Sequence, residues 1–322
     1  MSPIKLASKS QKRLPKALFV VGPTASGKTD LALKIAERFH GEIVNADARQ
    51  IYREIEIGTG RPSGVHKGLG KQRAYIHRGV PHYLMGFLPP SESYSAAEWR
   101  DGALNAIEGI TKRKHLPIVV GGTGLYVASL VDNLIFPNVE PHPAFRKTYE
   151  AKSLDELVAM LLILDPGSRE IVDLRNKRRV IRALEVATFT GKKFSELRAK
   201  GDPVVDALQI GIRWTPEELR ERISRTVDNM FERGLVREVQ EILKDGVNER
   251  SPALSAIGYR VVVDHLKGKM TLEDAVKQFK QLTWLYAKRQ MTWFKKDQRI
   301  HLVTSDTEAI QLVGEWVMKN GT

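Results

Sequence analysis

An α/β fold, a parallel sheet flanked by helices with an inserted all-helical domain, is predicted by three features of this sequence. Short apolar runs end in glycine-rich or carboxylate-bearing turns, amphipathic stretches lie between them, and a middle segment carries helical periods with no clear strand.

The elements follow in order. Ala17–Val21 is an apolar run ending in a glycine-rich loop, and Asp30–Phe39 then repeats Leu31, Leu33, Ile35 and Ala36 at helical spacing, which predicts strand, loop and helix. Glu42–Asp47 gives a second strand. Leu116–Val120 gives a third, closed by Gly121-Gly122-Thr123-Gly124 before a helical stretch from Tyr126 to Val131. Strands alternating with helices imply a parallel sheet covered on both faces, with ligands at the carboxyl ends of its strands. Asp47 and Thr123 are therefore expected near the first glycine loop. From about Asn133 the periods become helical, through Leu154–Leu164 and Val172–Thr190, until Gly201-Asp202-Pro203 breaks them. Ala207–Trp214 then reads as a returning strand, followed by a helix opened by the capping-box spacing Thr215-Pro216-Glu217-Glu218. Helices dominate the remainder, with a last short strand at Leu302-Val303. The expected organisation is a basic tail over 1–16, a core domain over 17–132 and 206–322 with C-terminal helices, and a helical insertion over 133–205.

Composition narrows the function. A hydrophobic fraction of 42% and a charged fraction of 28% suit a soluble globular protein, and no apolar run approaches the roughly 18 residues of a membrane span. No membrane partner is expected. The first sixteen residues are basic and polar without the apolar stretch of a secretion signal, so a cytoplasmic location is expected. The absence of cysteine removes thiolate zinc sites, disulfides and thiol chemistry. A net charge of +13 favours a polyanionic partner such as nucleic acid.

Gly22-Pro23-Thr24-Ala25-Ser26-Gly27-Lys28-Thr29 matches G-x-x-x-x-G-K-[ST], preceded by a strand and followed by a helix as phosphate binding requires, so the core reads as P-loop NTPase-like. The glycines permit the tight path, successive amides and the helix N-terminus receive phosphate oxygens, Lys28 neutralises charge and Thr29 can ligate magnesium. A nucleotide-hydrolysing enzyme would add a carboxylate at the end of a later strand, but Ile118-Val119-Val120 runs into Gly-Gly-Thr-Gly instead. Asp47, in Asn45-Ala46-Asp47-Ala48-Arg49-Gln50-Ile51-Tyr52, is the carboxylate nearest the phosphates. It suits a general base, or an N-cap for a helix starting near Arg49, and the residues alone leave both open.

The basic charge concentrates twice. Arg175, Lys177, Arg178, Arg179 and Arg182 fall in one helical stretch, with Arg175, Arg179 and Arg182 spaced to share a face and no carboxylate until Glu185. Between Val276 and Lys296, Lys277, Lys280, Lys288, Arg289, Lys295 and Lys296 alternate with Phe279, Trp284, Tyr286, Trp293 and Phe294, without an acidic residue. Lysine and arginine attract a phosphate backbone, while aromatics either stack on unstacked bases or face the core. The two patches favour RNA over a small acidic substrate.

Together these residues resemble the tRNA dimethylallyltransferases, also called tRNA isopentenyltransferases, over nearly the whole chain after Leu18. The likeness rests on GPTASGKT at Gly22–Thr29, NADARQIY at Asn45–Tyr52, IGTGRP at Ile57–Pro62, and VPHYL and SYSAAEW between Val80 and Trp99. It continues through GGTGLY at Gly121–Tyr126, RRVIRALE at Arg178–Glu185, AIGYR at Ala256–Arg260 and KRQMTWF at Lys288–Phe294. The resemblance implies transfer of a dimethylallyl group from dimethylallyl diphosphate to the exocyclic amine of the adenine on the 3′ side of the anticodon. The phosphate loop then holds the donor's diphosphate rather than ATP, with Mg2+ as cofactor. By matching position, Asp47 accepts the amine proton, Lys28 and Thr29 serve the departing diphosphate, and Thr123 lies at the reaction channel. Residues implied to contact the tRNA anticodon stem-loop are Asp47, Ala48, Arg49, Gln50, Thr123, Arg146, Arg178, Arg179, Arg182, Gly258, Tyr259, Arg260, Lys288, Arg289, Gln290, Trp293 and Lys295. The adenine must leave its stack to reach the donor. Two departures stand out. Met85-Gly86-Phe87-Leu88-Pro89-Pro90 replaces an aspartate-rich stretch, and Thr226 stands where a pyrophosphate-binding arginine is common, so Arg225, or else Arg222, is expected to serve. A monomer is expected. A nucleotide-dependent kinase, an adenylate isopentenyltransferase and a non-catalytic RNA-binding protein are the competing readings.

Overall fold

In the computed structural model, which describes residues 14–69, 72–137, 139–197 and 200–319, the run Ala17–Val21 is wholly buried. It forms most of β1 (Lys16–Val21), with parallel neighbours on both sides, and a strand covered on both faces needs apolar residues at every position. Residues 1–13 of the expected tail lie outside the described residues. Lys16, assigned to that tail by the sequence, opens β1, and its amine donates to the Trp316 carbonyl at 2.7 Å.

The chain continues through α1 (Lys28–Phe39), β2 (Gly41–Asn45), β3 (Val65–Leu69), β4 (Gln72–His77), β5 (Val80–Tyr83), α2 (Ala96–Lys112), β6 (Leu116–Gly121) and α3 (Gly124–Val131). It passes through a helical unit and returns as β7 (Asp206–Ile212). The strands form one sheet in the order β3-β4-β5-β2-β6-β1-β7-β8, closed by β8 (Ile300–Val303). From β5 to β8 all pairs are parallel. The β3-β4-β5 edge is antiparallel and was not expected, because Val-His-Lys-Gly-Leu is mostly exposed and carries no apolar alternation. The strand expected to reach Trp214 stops at Ile212, since Trp214 turns to bond the phosphate loop.

Strand side chains alternate between two cores. Phe19, Val21, Val44 and Ala46 meet Trp99, Ala103, Ile107 and Ile110 of α2 and Tyr126, Val127 and Leu130 of α3. Leu18, Val20, Ile43, Ile118 and Ile210 meet Leu31, Leu33 and Ile35 of α1 on the other face. The predicted capping box at Thr215 opens α9 (Pro216–Glu232), its side chain accepting the Glu218 N–H while Glu218 returns to the Thr215 N–H. That helix, α10 (Leu235–Lys244), α11 (Ile257–Leu266) and α12 (Leu272–Phe294) enclose a third core with Ile51, Tyr52 and Ile55, and α13 (Asp306–Met318) packs with α1.

The chain partitions into two compact units. One runs up to Val131 and resumes at Val204; the other is Asp132–Pro203. Val205 belongs to the sheet core rather than the insertion. Within the second unit lie α4 (Pro143–Glu150), α5 (Leu154–Leu164), the single turn α6 (Ser168–Ile171), a long helix α7 over Lys177–Thr190 and the single turn α8 (Phe194–Leu197), packed through Leu157, Leu161, Val180 and Leu184. That helix begins at Lys177, capped by Asn176, so Arg175 precedes it and does not share the face predicted for it with Arg179 and Arg182.

Candidate active site

Where β1 ends, Gly22 (φ +141°) turns the chain, and Gly27 (φ +86°) delivers it into α1. Both conformations are strained for any side chain. Ala25 also sits in the left-handed region, at φ +61°. Strained backbone persists where its surroundings hold it, and here three side chains grip the loop. Trp214 Nε1 donates to the Ser26 carbonyl at 3.0 Å, Arg222 Nε to the Ala25 carbonyl at 2.9 Å, and Gln290 Oε1 accepts the Thr24 N–H at 2.9 Å. The Arg222 guanidinium lies 4.4 Å from the Trp214 ring centre. Inside the loop the Ser26 hydroxyl is buried with no hydrogen-bond partner among the described residues. A buried orphan hydroxyl at a helix N-terminus fits an oxygen-rich anion.

Lys28 donates to the Pro23 carbonyl. Burial pulls its ammonium down to about 8, partly offset by the Asp47 carboxylate. Asp47 follows β2. Asn45 shapes the turn by accepting the Asp47 N–H at 3.1 Å and donating to the Leu84 carbonyl at 2.9 Å, while Asp47 Oδ1 accepts the Arg49 N–H at 2.8 Å. No helix starts near Arg49, so the carboxylate closes a turn rather than capping a helix. The Gly121-Thr123 turn interlocks with it: Thr123 N–H donates to the Ala46 carbonyl at 3.1 Å and Thr123 Oγ1 accepts the Ala48 N–H at 3.0 Å. A Cβ on Gly121 would fall 2.1 Å from the Ala46 oxygen, which excludes any other residue there.

One cavity of about 330 Å³ joins Thr24–Asp30 to Asp47, Thr59, Arg222 and Thr226. Lys28, Thr29 and Asp47, separate in sequence, thus share one space, and Thr123 stands one residue contact away through Ala48. The Thr59–Pro62 rim is held by Glu238, which accepts the Ile57 N–H at 2.8 Å and the Glu56 N–H at 3.1 Å. Nothing in the sequence pattern singles out Glu238.

The two arginine alternatives separate. Arg222 and Thr226, four apart, share the helix face lining the cavity. Arg225 is turned off that face, its side chain 68% exposed and 3.6 Å from Glu221. Arg225 therefore does not line the cavity, whereas Arg222 does.

The residues expected to meet RNA fall into groups. Lys288, Arg289, Trp293 and Lys295 at the end of α12, and Arg260 on α11, are exposed. Arg49 donates to the Pro252 carbonyl and Ser255 Oγ, and Gln50 to the Thr59 carbonyl. Gly258 and Tyr259 are buried: Gly258 abuts Phe279, and the Tyr259 hydroxyl donates to Glu238 while receiving the Gly58 N–H at 3.1 Å. Burial and Glu238 push that phenol's pKa up. Tyr259 thus supports the backbone at Gly58, next to the cavity rim, and neither residue is exposed. Gln290 is buried too. In the second unit Arg178 and Arg179 are exposed, whereas Arg146 and Arg182 both bind Glu185, at 2.7 Å and 2.6 Å, so the cluster is less free than its sequence suggests. Those two bonds, and the His142 N–H, hold the buried Glu185 carboxyl down to about 2.

Among the described residues no three His, Asp or Glu side chains could hold a metal, and no helix is long and apolar enough to cross a membrane. The donors beside the loop are hydroxyl and carboxylate oxygens, a hard set suited to a cation carried mainly by its phosphate ligand.

A strained glycine loop at a helix N-terminus, sharing its cavity with the Asp47 carboxylate that follows β2, two places along the sheet from β1, defines a P-loop-like α/β protein built for group transfer from a phosphorylated donor. A model of the IPP transferase family matches residues 50–297, and the chain belongs to that family. It is similar to the tRNA dimethylallyltransferase of Acetivibrio thermocellus (38% identity; 91% of this chain, 93% of the relative) and to tRNA dimethylallyltransferase 2 of Geotalea uraniireducens (40%; 89% and 92%). Among solved structures, the tRNA isopentenylpyrophosphate transferase of Bacillus halodurans superposes with a TM-score of 0.67 at 32% identity, covering 95% of this chain and 96% of that one. A eukaryotic dimethylallyltransferase acting on tRNA superposes with a TM-score of 0.75 at 27% identity, covering 94% and 80%.

Proposed function

We propose that this chain transfers a dimethylallyl group from dimethylallyl diphosphate to the exocyclic amine of the adenine 3′-adjacent to the anticodon of tRNA, releasing diphosphate. The observation that carries this reading is the shared cavity of Lys28 and Asp47 in a member of this family. The donor's diphosphate lies on the amides of Gly22–Thr29, against Lys28 and Arg222, with the Ser26 hydroxyl completing its contacts. Asp47 takes the proton from the amine as nitrogen bonds to the first carbon of the donor, and that carbon's bond to oxygen breaks with its electron pair leaving on diphosphate. Thr123 holds the Asp47-Ala48 turn at the channel. Thr29 would hold a magnesium ion, which would supply charge neutralisation at the leaving group. Lys288, Arg289, Trp293, Lys295 and Arg260 receive the anticodon stem-loop, and the target adenine is extruded towards Asp47; Arg178 and Arg179 are a separate RNA contact proposed for the second unit by itself. The same proposal makes the protein a cytoplasmic monomer.

The test is incubation of the purified chain with labelled dimethylallyl diphosphate, magnesium and either tRNA or AMP. Label is expected in tRNA alone. Transfer to AMP would move the assignment to a free-nucleotide prenyltransferase, and no transfer would return it to a kinase or an RNA-binding protein. Asp47→Ala should abolish transfer while tRNA binding, measured by filter retention, survives; retained turnover would remove Asp47 as the base.

A further inference from the structure

Gln290 lies within one of the two basic stretches of the chain, yet it is buried and its side-chain amide is committed on both ends. Its Oε1 accepts the Thr24 N–H of the phosphate loop at 2.9 Å, and its Nε2 donates to the Gly122 carbonyl at 2.9 Å, one residue before Thr123. The fit is close: a Cβ on Gly122 would lie 2.2 Å from Gln290 Nε2. Trp293, three residues along the same helix face, packs against Gly124, where a Cβ would lie 2.3 Å from the indole. The last turns of α12 therefore grip the Gly-Gly-Thr-Gly turn twice, while Lys288, Arg289 and Lys295 on the same turns remain exposed.

We infer that Gln290 is a positioning residue that holds the donor seat and the Thr123 turn in one register and ties both to the helix that presents basic charge. This rests on the proposed transfer reaction, with the phosphate loop as donor seat. Gln290 bridges two loops that come from different strands, β1 and β6, and that must sit at a defined separation for the carboxylate-side turn to face the donor carbon. Without the amide, the half-buried Thr24 N–H and the buried Gly122 carbonyl lose this partner, and the two loops lose their common reference. Register of this kind acts on the reacting geometry, so its loss appears in kcat and donor binding, not in tRNA binding.

The experiment compares wild type, Gln290→Met, Gly122→Ala and the double variant for kcat and for both KM values, with Lys288→Ala as a comparator for RNA contact. Gln290→Met keeps the bulk and removes both bonds. Its kcat is expected to fall about 100-fold, the scale of a displacement near 1 Å at a reacting centre, with tRNA KM within about threefold of wild type. Gly122→Ala displaces the amide from the other side and should produce the same split, and the double variant should lose little beyond either single one. Lys288→Ala should instead raise tRNA KM. A Gln290→Met enzyme that keeps kcat and raises tRNA KM would make Gln290 an RNA contact and overturn the inference. Additive losses in the double variant, unchanged kinetics, or loss of cooperative thermal unfolding in Gln290→Met would overturn it as well. Wild type inactive on dimethylallyl diphosphate and tRNA defeats the proposed function separately, and calorimetric titration of inorganic pyrophosphate still reads the bridge, with about tenfold weaker binding expected in Gln290→Met.

Discussion

Lys28 balances two opposed influences: burial disfavours its charge, and Asp47 favours it, leaving the ammonium near 8. The protonated form is the one that holds diphosphate, so affinity for the donor is present below that value and declines as pH rises through it. In the unliganded enzyme kcat/KM for the donor should therefore fall above about pH 8, with tRNA affinity measured at the same pH as the internal reference. A flat profile to pH 10 would mean that Lys28 does not carry the donor's charge. Arg222 and Arg225 offer a second comparison at this scale. Loss of a charge-assisted bond costs about 1.5–3 kcal/mol, so Arg222→Ala should raise donor KM about 10- to 100-fold. Arg225→Ala, removing an exposed pair with Glu221, should change it by no more than about twofold. The motif made the phosphate loop readable, but a choice between arginines three positions apart depends on helix phase, which periodicity locates only within a residue or two.

At the level of elements, the helix over Lys177–Thr190 carries its own electrostatic anchor. Glu185 is buried beneath Arg146 and Arg182, and its carboxyl, ordinarily near 4.5, is held down to about 2. A depressed carboxylate contributes stability that is complete above the ordinary value and is lost as pH falls through the folded one. Amide exchange of this helix should therefore accelerate between about pH 4.5 and 2, and Glu185→Ala should destabilise the helical unit by about 3 kcal/mol at neutral pH. An unaltered melting profile for Glu185→Ala would show the pair to be unimportant. Arg182 read as part of a free basic cluster although Glu185 follows three residues later, because the sequence does not show that this carboxylate turns into the helix packing, where it receives both Arg182 and Arg146. The β3-β4-β5 edge was illegible for a related reason: β3 is mostly exposed and joins the sheet through backbone pairing to β4, and β4 through β5 to β2, a chain of contacts that leaves no apolar pattern in β3.

For the whole molecule, the net charge of +13 predicts a steep fall of tRNA affinity with salt. Removing Lys288 and Arg289 together should lower the slope of log K against log salt by about two, one per lost phosphate contact. Tyr259→Phe should leave the slope unchanged, because that residue is buried against Glu238. An equal change of slope in both variants would contradict the division between exposed contacts and buried supports.

The phosphate loop, its strand and helix, and the candidate base on the next strand were readable from sequence because each is encoded by contiguous residues whose local chemistry admits few alternatives. Which residues hold that loop in its strained form was decided only by tertiary structure. Arg222, Trp214 and Gln290 reach it from 197, 188 and 266 residues away. In sequence they read as an alternative diphosphate arginine, the end of a strand and an RNA contact; the tertiary fold, in which α9 packs against α12, brings them to the same few carbonyls and amides.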